Sequence, residues 1–375
     1  MQKIQEMYEN IILLEKKQNQ RMYYQRWLDL MRTYKYQLTT PITVEIGVTK
    51  TCNQNCMHCS NGGGRKNGFL NLNLLDEILK INPGYVILTG GEPFLHPEFY
   101  EIVHKVKDSH AFLRICTNGT LIDVQKHKKL LSLLDKDDIV QISLDASDKI
   151  AYSKMRGKDD FEKVIANIRV IKEKYPWLTI EVHNVPTQYN INEVEKIYEL
   201  VNEEGVDYFS IAPLAYLGNA CGLEKISILT LLKLHYNLLQ KMLTFKTKYI
   251  GRPYEIASLY KQINICSKEK VKATYSCAAG YESIYIDCFG KVFPCVYMQT
   301  DWFDLGKITD GIESIMDTCK KKIPLEIEIK NTPCDGCYMW KICRGGCLGL
   351  SFFQCGKCLP GFDPRCAKVI DPPEG

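Results

Sequence analysis

Cys52, Cys56 and Cys59 stand in the run Thr51-Cys52-Asn53-Gln54-Asn55-Cys56-Met57-His58-Cys59, directly after an apolar strand-like segment. Thiolates at C-x3-C-x2-C spacing can hold three irons of a [4Fe–4S] cube and leave the fourth without a protein ligand, and an open iron is a place for chemistry as well as electron storage. A zinc site would need a fourth protein ligand in a closed tetrahedron, and the nearby His58 has an awkward spacing for that role. A second group of cysteines fills the C-terminal part: Cys277, then Gly290-x4-Cys295, then Cys334-x2-Cys337-x5-Cys343-x3-Cys347, and Cys366. By chemistry alone these thiolates can hold two metal centres, either zinc or iron–sulfur. The chain has 17 cysteines, and its start, Met1-Gln2-Lys3-Ile4-Gln5-Glu6, lacks the basic-then-apolar layout of a secretory signal. A reducing compartment, the cytoplasm, is therefore expected, and metal rather than disulfides.

The elements that must position these groups follow from periodicity. Residues 1–41 carry Ile4, Met7, Tyr8, Ile11 and Leu14 at helical spacing and predict a helical segment. Strand-like runs follow at Ile42–Val48, Tyr85–Leu88, Phe112–Cys116, Ile139–Leu144, Leu178–Val185 and Tyr208–Pro213. Helical patterns lie after them, at Leu72–Ile81, Pro97–Asp108, Asp123–Leu134, Phe161–Lys174, Ile191–Glu204 and Ile226–Phe245. This alternation implies a parallel sheet with right-handed crossovers. Six units are too few for a closed eight-stranded barrel, so the expected fold is α/β, a partial (β/α)6 TIM-like barrel over residues 42–245. Gly251, Arg252 and Pro253 mark a linker at 246–276. Residues 277–375 form a cysteine-rich domain of loops, with a β-hairpin from Tyr281–Asp287 and Lys291–Tyr297 around Cys288-Phe289-Gly290.

Ligands bind beyond the carboxyl ends of the strands in such sheets, and the polar motifs fall there. The cysteine triplet follows the first strand, Gly90-Gly91-Glu92-Pro93 the second and Thr117-Asn118-Gly119 the third. Ser143-Leu144-Asp145 closes the fourth, and His183 and Asn184 end the fifth. Composition bounds the partners. At 375 residues, 45% hydrophobic and 25% charged, with net charge +4, this is an ordinary globular chain. No cluster of Lys and Arg interleaved with aromatics argues for nucleic acid, and no apolar run is long enough to span a bilayer.

With the cysteine triplet after the first strand and the Gly-Gly-Glu-Pro turn after the second, residues 42–245 resemble the radical S-adenosylmethionine superfamily. The resemblance implies that the open iron binds the amino and carboxylate groups of S-adenosylmethionine. An electron from the cluster then cleaves the C–S bond, and the 5′-deoxyadenosyl radical abstracts hydrogen from substrate. It further implies cofactor contacts by Gly90, Gly91 and Glu92, the glycines leaving backbone bare for the methionine amino group. Ser143 and Asp145 fall where the family holds the ribose diol, and His58 where it often carries an aromatic near the adenine. Arg156 is either a planar fork for the methionine carboxylate or an ordinary surface arginine. Asn118 is either a cofactor contact or part of a turn with Gly119, and Ser143 could merely satisfy backbone groups.

The tail resembles the SPASM extension of the same superfamily over about residues 277–366. The resemblance implies two auxiliary [4Fe–4S] clusters, three in all. The outer would be held by Cys334, Cys337, Cys343 and Cys366, the inner by Cys277, Cys295 and Cys347. Sulfatase-maturing members carry a further cysteine near the place of Ser283; Cys288 is the substitute candidate, an open iron the alternative. Cys355 and Cys358 form an extra C-x2-C pair, which could bind metal, shuttle redox equivalents or be idle, the last being the preferred reading. Cys116, Cys221, Cys266 and Cys319 are read as small apolar residues, although one near the pocket could deliver a hydrogen atom. Val296 stands where sulfatase-maturing enzymes carry an Asp, which argues against formylglycine formation. The residues before Ile42 are too few and too helical for a winged-helix leader-binding domain, so any leader recognition is expected to come from a separate leader-binding protein or from the barrel itself. A flavodoxin- or ferredoxin-type donor would supply the electron.

The leading expectation is an enzyme that matures a ribosomal peptide by cross-linking, oxidation or epimerisation. The runner-up acts on a small molecule, as a sugar or cyclitol dehydrogenase or epimerase. A non-catalytic iron–sulfur electron carrier is the third reading, and the nucleoside-type pocket argues against it.

Overall fold

The computed structural model describes residues 41, 43–64, 66–251, 279–323, 333–335, 346–355 and 363. The expected N-terminal helix, most of the expected linker, and Cys266, Cys277, Cys337, Cys343, Cys358 and Cys366 lie outside these residues.

Nine described strands form one sheet: β1 (Thr43–Thr49), β2 (Tyr85–Gly90), β3 (Phe112–Thr117), β4 (Ile139–Ser143), β5 (Thr179–Asn184), β6 (Tyr208–Ile211), β7 (Lys248–Gly251), β8 (Ser283–Ile286) and β9 (Val292–Phe293). Their order is β7-β6-β5-β4-β3-β2-β1-β8-β9. All neighbours pair in parallel except β8 and β9, which are antiparallel. The architecture is the expected partial barrel, an α/β fold with a consecutive parallel sheet.

The helices that return the chain between strands are α1 (Leu72–Leu79), α2 (Phe99–Asp108), α3 (Lys128–Leu133), α4 (Lys149–Arg156), α5 (Phe161–Lys174), α6 (Val194–Glu203) and α7 (Ile228–Met242). In the tail, α8 (Ile312–Lys322) and α9 (Leu348–Cys355) follow. Local chemistry sets their ends. The Asn71, Asp148 and Ser227 side chains accept from the first free N–H groups of α1, α4 and α7, and Gly157, at φ 70°, closes α4 in the left-handed region.

Side-chain alternation divides the sheet. Val44, Ile46 and Val48 of β1, Leu113 and Ile115 of β3, and Val140 and Ile142 of β4 are fully buried in one apolar core with the helices. The opposite face carries polar groups. Arg114 donates to the Tyr85 hydroxyl and to Gln141, at 3.0 Å each, and pairs with Glu181 at 3.1 Å. Barrel interiors are usually filled with branched apolar side chains, and this one is ionic.

Two strands differ from expectation. Lys248–Gly251 falls in the expected linker but pairs in parallel with β6. With only four residues, Lys and Gly at its ends, it shows no readable alternation. The hairpin forms as expected, but β8 also pairs with β1, from Thr43↔Ser283 to Ile46↔Ile286. The cysteine-rich tail thus contributes a strand to the barrel sheet.

Candidate active site

The cysteine loop leaves β1 at Thr49 and is held from three sides. From β2, Gly91 N–H donates to Thr49 O at 2.6 Å and Glu92 N–H to Thr51 O at 2.8 Å. These contacts explain both glycines of the turn. Gly90 sits at φ 125° with a hypothetical Cβ 2.3 Å from Thr49 O, and a Cβ on Gly91 would lie 2.1 Å from Thr51 O. The close approach they permit is that of the loop's own backbone, where a methionine amino group was the expected visitor.

From β3, Asn118 donates to Asn53 Oδ1 at 2.8 Å, and Asn53 in turn donates to Thr120 Oγ1 at 2.8 Å. From α4, Met57 N–H donates to Met155 O at 3.0 Å, and the buried Gln54 reaches the Tyr152 hydroxyl at 3.0 Å.

Each thiol of the triplet has an N–H donor directed at it. Asn118 Nδ2 lies 3.9 Å from Cys52 Sγ, Arg156 Nη1 lies 3.7 Å from Cys56 Sγ, and Gly63 N lies 3.2 Å from Cys59 Sγ. Such donors stabilise thiolates and tune iron–sulfur potentials. Burial pushes the metal-free Cys52 thiol up to about 11 and raises Cys56 as well, so these sulfurs become good ligands only when a cation compensates their charge. Among the described residues no three His, Cys, Asp or Glu side chains converge as a single metal ion would require; thiolates on separate corners of a cube need not. By its chemistry, three thiols each met by an N–H donor, the donor set is compatible with an iron–sulfur cube.

The other expected contacts fall at the same end of the barrel, with changed roles. Glu92 is fully buried, and its oxygens accept from Thr117 Oγ1 and Asn118 N at 2.7 Å and Phe94 N at 3.2 Å. It ties β2 to β3 rather than facing a ligand, and burial pushes its carboxyl up to about 7. Asp145, also fully buried, accepts from Val185 N at 2.8 Å and Asn184 Nδ2 at 3.3 Å. Its other oxygen pairs with His58 Nε2 at 3.1 Å and with Arg156. Despite full burial, the neighbouring Arg156 and His58 hold this carboxyl below the usual carboxylate range, and Asp145 raises Arg156 in turn.

Arg156 is thus buried, contrary to a surface role. It is paired with Asp145 where a methionine carboxylate was expected, and it is shared with Cys56. Among the described residues, His58 Nδ1, Arg156 Nε and Asn184 Oδ1 are buried without a hydrogen-bond partner, the kind of atoms a polar cofactor across this end of the barrel would satisfy. Ser143, half-buried, lies opposite His183 in the β4–β5 register. The His183 ring contacts Ser210 Oγ at 2.7 Å, and Ser210 donates to Glu181 at 2.5 Å.

Of the expected tail ligands, Cys295, Cys334 and Cys347 are described; Cys334 is buried, and Cys347 N–H donates to Asp363 at 2.7 Å. Cys288 is buried at the hairpin turn, with burial pushing it up to about 11. Its sulfur lies against Gly68 of the barrel and lines a cavity of about 360 Å³ between the cysteine loop, Gly90, the turn at Gly218 and the tail.

Sequence reading missed the strap across this cavity. Gln299 Nε2 donates to Val296 O at 2.9 Å and Asn61 Oδ1 at 3.3 Å, and Asn61 Nδ2 donates to Gly90 O at 3.2 Å. It also missed Lys50 and Tyr285, which line the cavity. Lys50, immediately before the Thr-Cys start of the triplet, was the one legible signal.

Comparison with known proteins agrees with this geometry. Residues 46–201 match the model of the radical SAM superfamily. Over 356 residues the chain is 25% identical to the mycofactocin maturase MftC of Mycobacterium ulcerans, covering 92% of each protein. It is 25% identical over 269 residues to the AdoMet-dependent heme synthase of Methanosarcina barkeri, covering 67% of this chain and 75% of that one. The crystal structure of Streptococcus suis SuiB bound to its precursor peptide SuiA superposes with a TM-score of 0.68 at 18% identity, covering 89% of this chain and 78% of SuiB.

Proposed function

We propose that this chain is a radical S-adenosylmethionine enzyme that modifies a peptide, abstracting hydrogen from one residue to introduce a cross-link, an oxidation or an inverted stereocentre. The observation that carries the reading is the extent of the maturase match. It runs through barrel and tail alike, over 92% of both chains, whereas the heme synthase match covers only 67% of this one.

Cys52, Cys56 and Cys59 would hold the cluster that anchors S-adenosylmethionine; together, when bound, these groups supply one electron and a carbon-centred radical that takes hydrogen from substrate. The chain's own residues do the rest. Asn118, Arg156 and the Gly63 amide stabilise the thiolates, and Glu92 and the two glycines hold the loop to the end of the sheet. Ser143, His58, Asn184 and Arg156 offer polar atoms to the nucleoside and amino-acid portions, Arg156 by exchanging Asp145 for the methionine carboxylate. In the tail, Cys334, Cys337, Cys343 and Cys366 would hold one auxiliary cluster, and Cys277, Cys295 and Cys347 another. Cys288 is the candidate fourth ligand of that second cluster. The enzyme would work in the cytoplasm with an external one-electron donor and a separate leader-binding protein.

The test is anaerobic incubation of reconstituted protein with S-adenosylmethionine, dithionite and the product of any short peptide gene beside this one. A mass change in the peptide together with 5′-deoxyadenosine is expected. An unchanged peptide alongside oxidation of a sugar or cyclitol would reject the reading.

A further inference from the structure

The cavity between the cysteine loop and the tail has a chemistry of its own. None of Cys52, Cys56 and Cys59 lines it, but Gly90 and Cys288 do, so it opens between the turn expected to meet S-adenosylmethionine and the candidate ligand of the second auxiliary cluster. Two lysines, Lys50 and Lys66, line it, and among the described residues no carboxylate does. Lys66 donates to Asn61 O at 2.5 Å. The Lys50 ammonium lies 3.5 Å from Asp287 and 4.6 Å from the centre of the Phe289 ring. Asp287 Oδ1 accepts from the backbone N–H groups of Phe289 and Lys291 at 2.9 and 3.0 Å, and its Oδ2 is the oxygen that faces Lys50, so this ion pair takes one of the ammonium's three donors. Both ammonium groups therefore keep donor capacity.

A second observation points the same way. Tyr285 is 3% exposed and lines the cavity. It reaches so close to β1 that a Cβ on Gly47 would lie 2.3 Å from its hydroxyl. A phenol O–H is protonated at neutral pH and is available as a donor toward the cavity. An O–H donor and two lysine ammoniums in one wall, with no acidic side chain among the described lining residues and the Glu45 and Asp287 carboxylates acting on Tyr285 from outside that wall, can receive a carboxylate.

We propose that this cavity binds a carboxylate of the peptide substrate, with the Lys50 ammonium and the Tyr285 hydroxyl as its donors. The inference rests on the peptide reading and deepens it: the residue set against the radical centre carries, or stands next to, an acidic group. That group is either an Asp or Glu side chain or the peptide's own C-terminus.

The test uses reconstituted, S-adenosylmethionine-loaded protein, immobilised and exposed to random-sequence octapeptide pools, with retained peptides quantified by mass spectrometry. One pool is amidated and free of Asp and Glu, one has a free C-terminus without Asp or Glu, and one is amidated with Asp and Glu included. At least one carboxylate-bearing pool should be retained about tenfold over the first, the size of one charge-assisted contact; which one identifies the source. Lys50→Gln and Tyr285→Phe, checked for parental circular dichroism, should each erase most of that preference. Equal retention of the three pools, or a preference untouched in both variants, overturns the inference and leaves the peptide reading standing. No retention of any pool contradicts the peptide reading itself, and the inference falls with it.

Discussion

Arg156 shows how one side chain can serve two partners: buried on α4, it compensates the Asp145 carboxylate and donates to the Cys56 sulfur. Removing one member of a buried pair leaves the other charge uncompensated, so Asp145→Ala should cost about 3–5 kcal/mol in denaturant unfolding. Glu92 gives a pH signature. Its carboxyl is raised from 4.5 to about 7, so the folded state holds this proton more tightly than the unfolded chain. Its contribution is full below pH 4.5 and is lost as pH rises to about 7, an effect of up to roughly 3 kcal/mol. Glu92→Gln should flatten that slope while lowering stability throughout, since the amide has only one acceptor oxygen for Thr117 and Asn118; an unchanged slope would assign it to another group. At this scale the sequence was legible in residue type and place but not in partner. Cys52, Asn118, Asp145 and Arg156 were all singled out, yet which of them face each other depends on side-chain packing across strands distant in sequence.

Among the elements, the turn after β2 and the cysteine loop form one unit. Because the Thr51 carbonyl would lie 2.1 Å from a Cβ on Gly91, Gly91→Ala must displace backbone. It should cost about 1–3 kcal/mol and lower iron incorporation, both measurable on the same preparation. The alternation of short β-branched runs with amphipathic stretches revealed β1 to β6 because each strand has a buried apolar stripe. It concealed β7, too short to show a period, and the eight-residue α4, which lay unassigned between β4 and α5. The parallel pairing of β8 with β1 was invisible for another reason. The Tyr281–Asp287 run announces a strand but carries no mark of a neighbour some 240 residues earlier in the chain.

For the whole molecule, the tail is structurally part of the catalytic end of the barrel, joined through β8 and through the strap from Gln299 to Asn61 to Gly90. If that tail carries two auxiliary cubes, reconstituted protein should contain about twelve irons, against about four for a single cube; four would reject the auxiliary assignment. The central claim is that Cys52, Cys56 and Cys59 hold a cluster that activates S-adenosylmethionine, and one measurement tests it most directly. Anaerobic, dithionite-reduced protein is incubated with S-adenosylmethionine, and 5′-deoxyadenosine is quantified for the parent and for Cys56→Ala. The parent should form it and the variant should not; equal rates in the two would contradict the account.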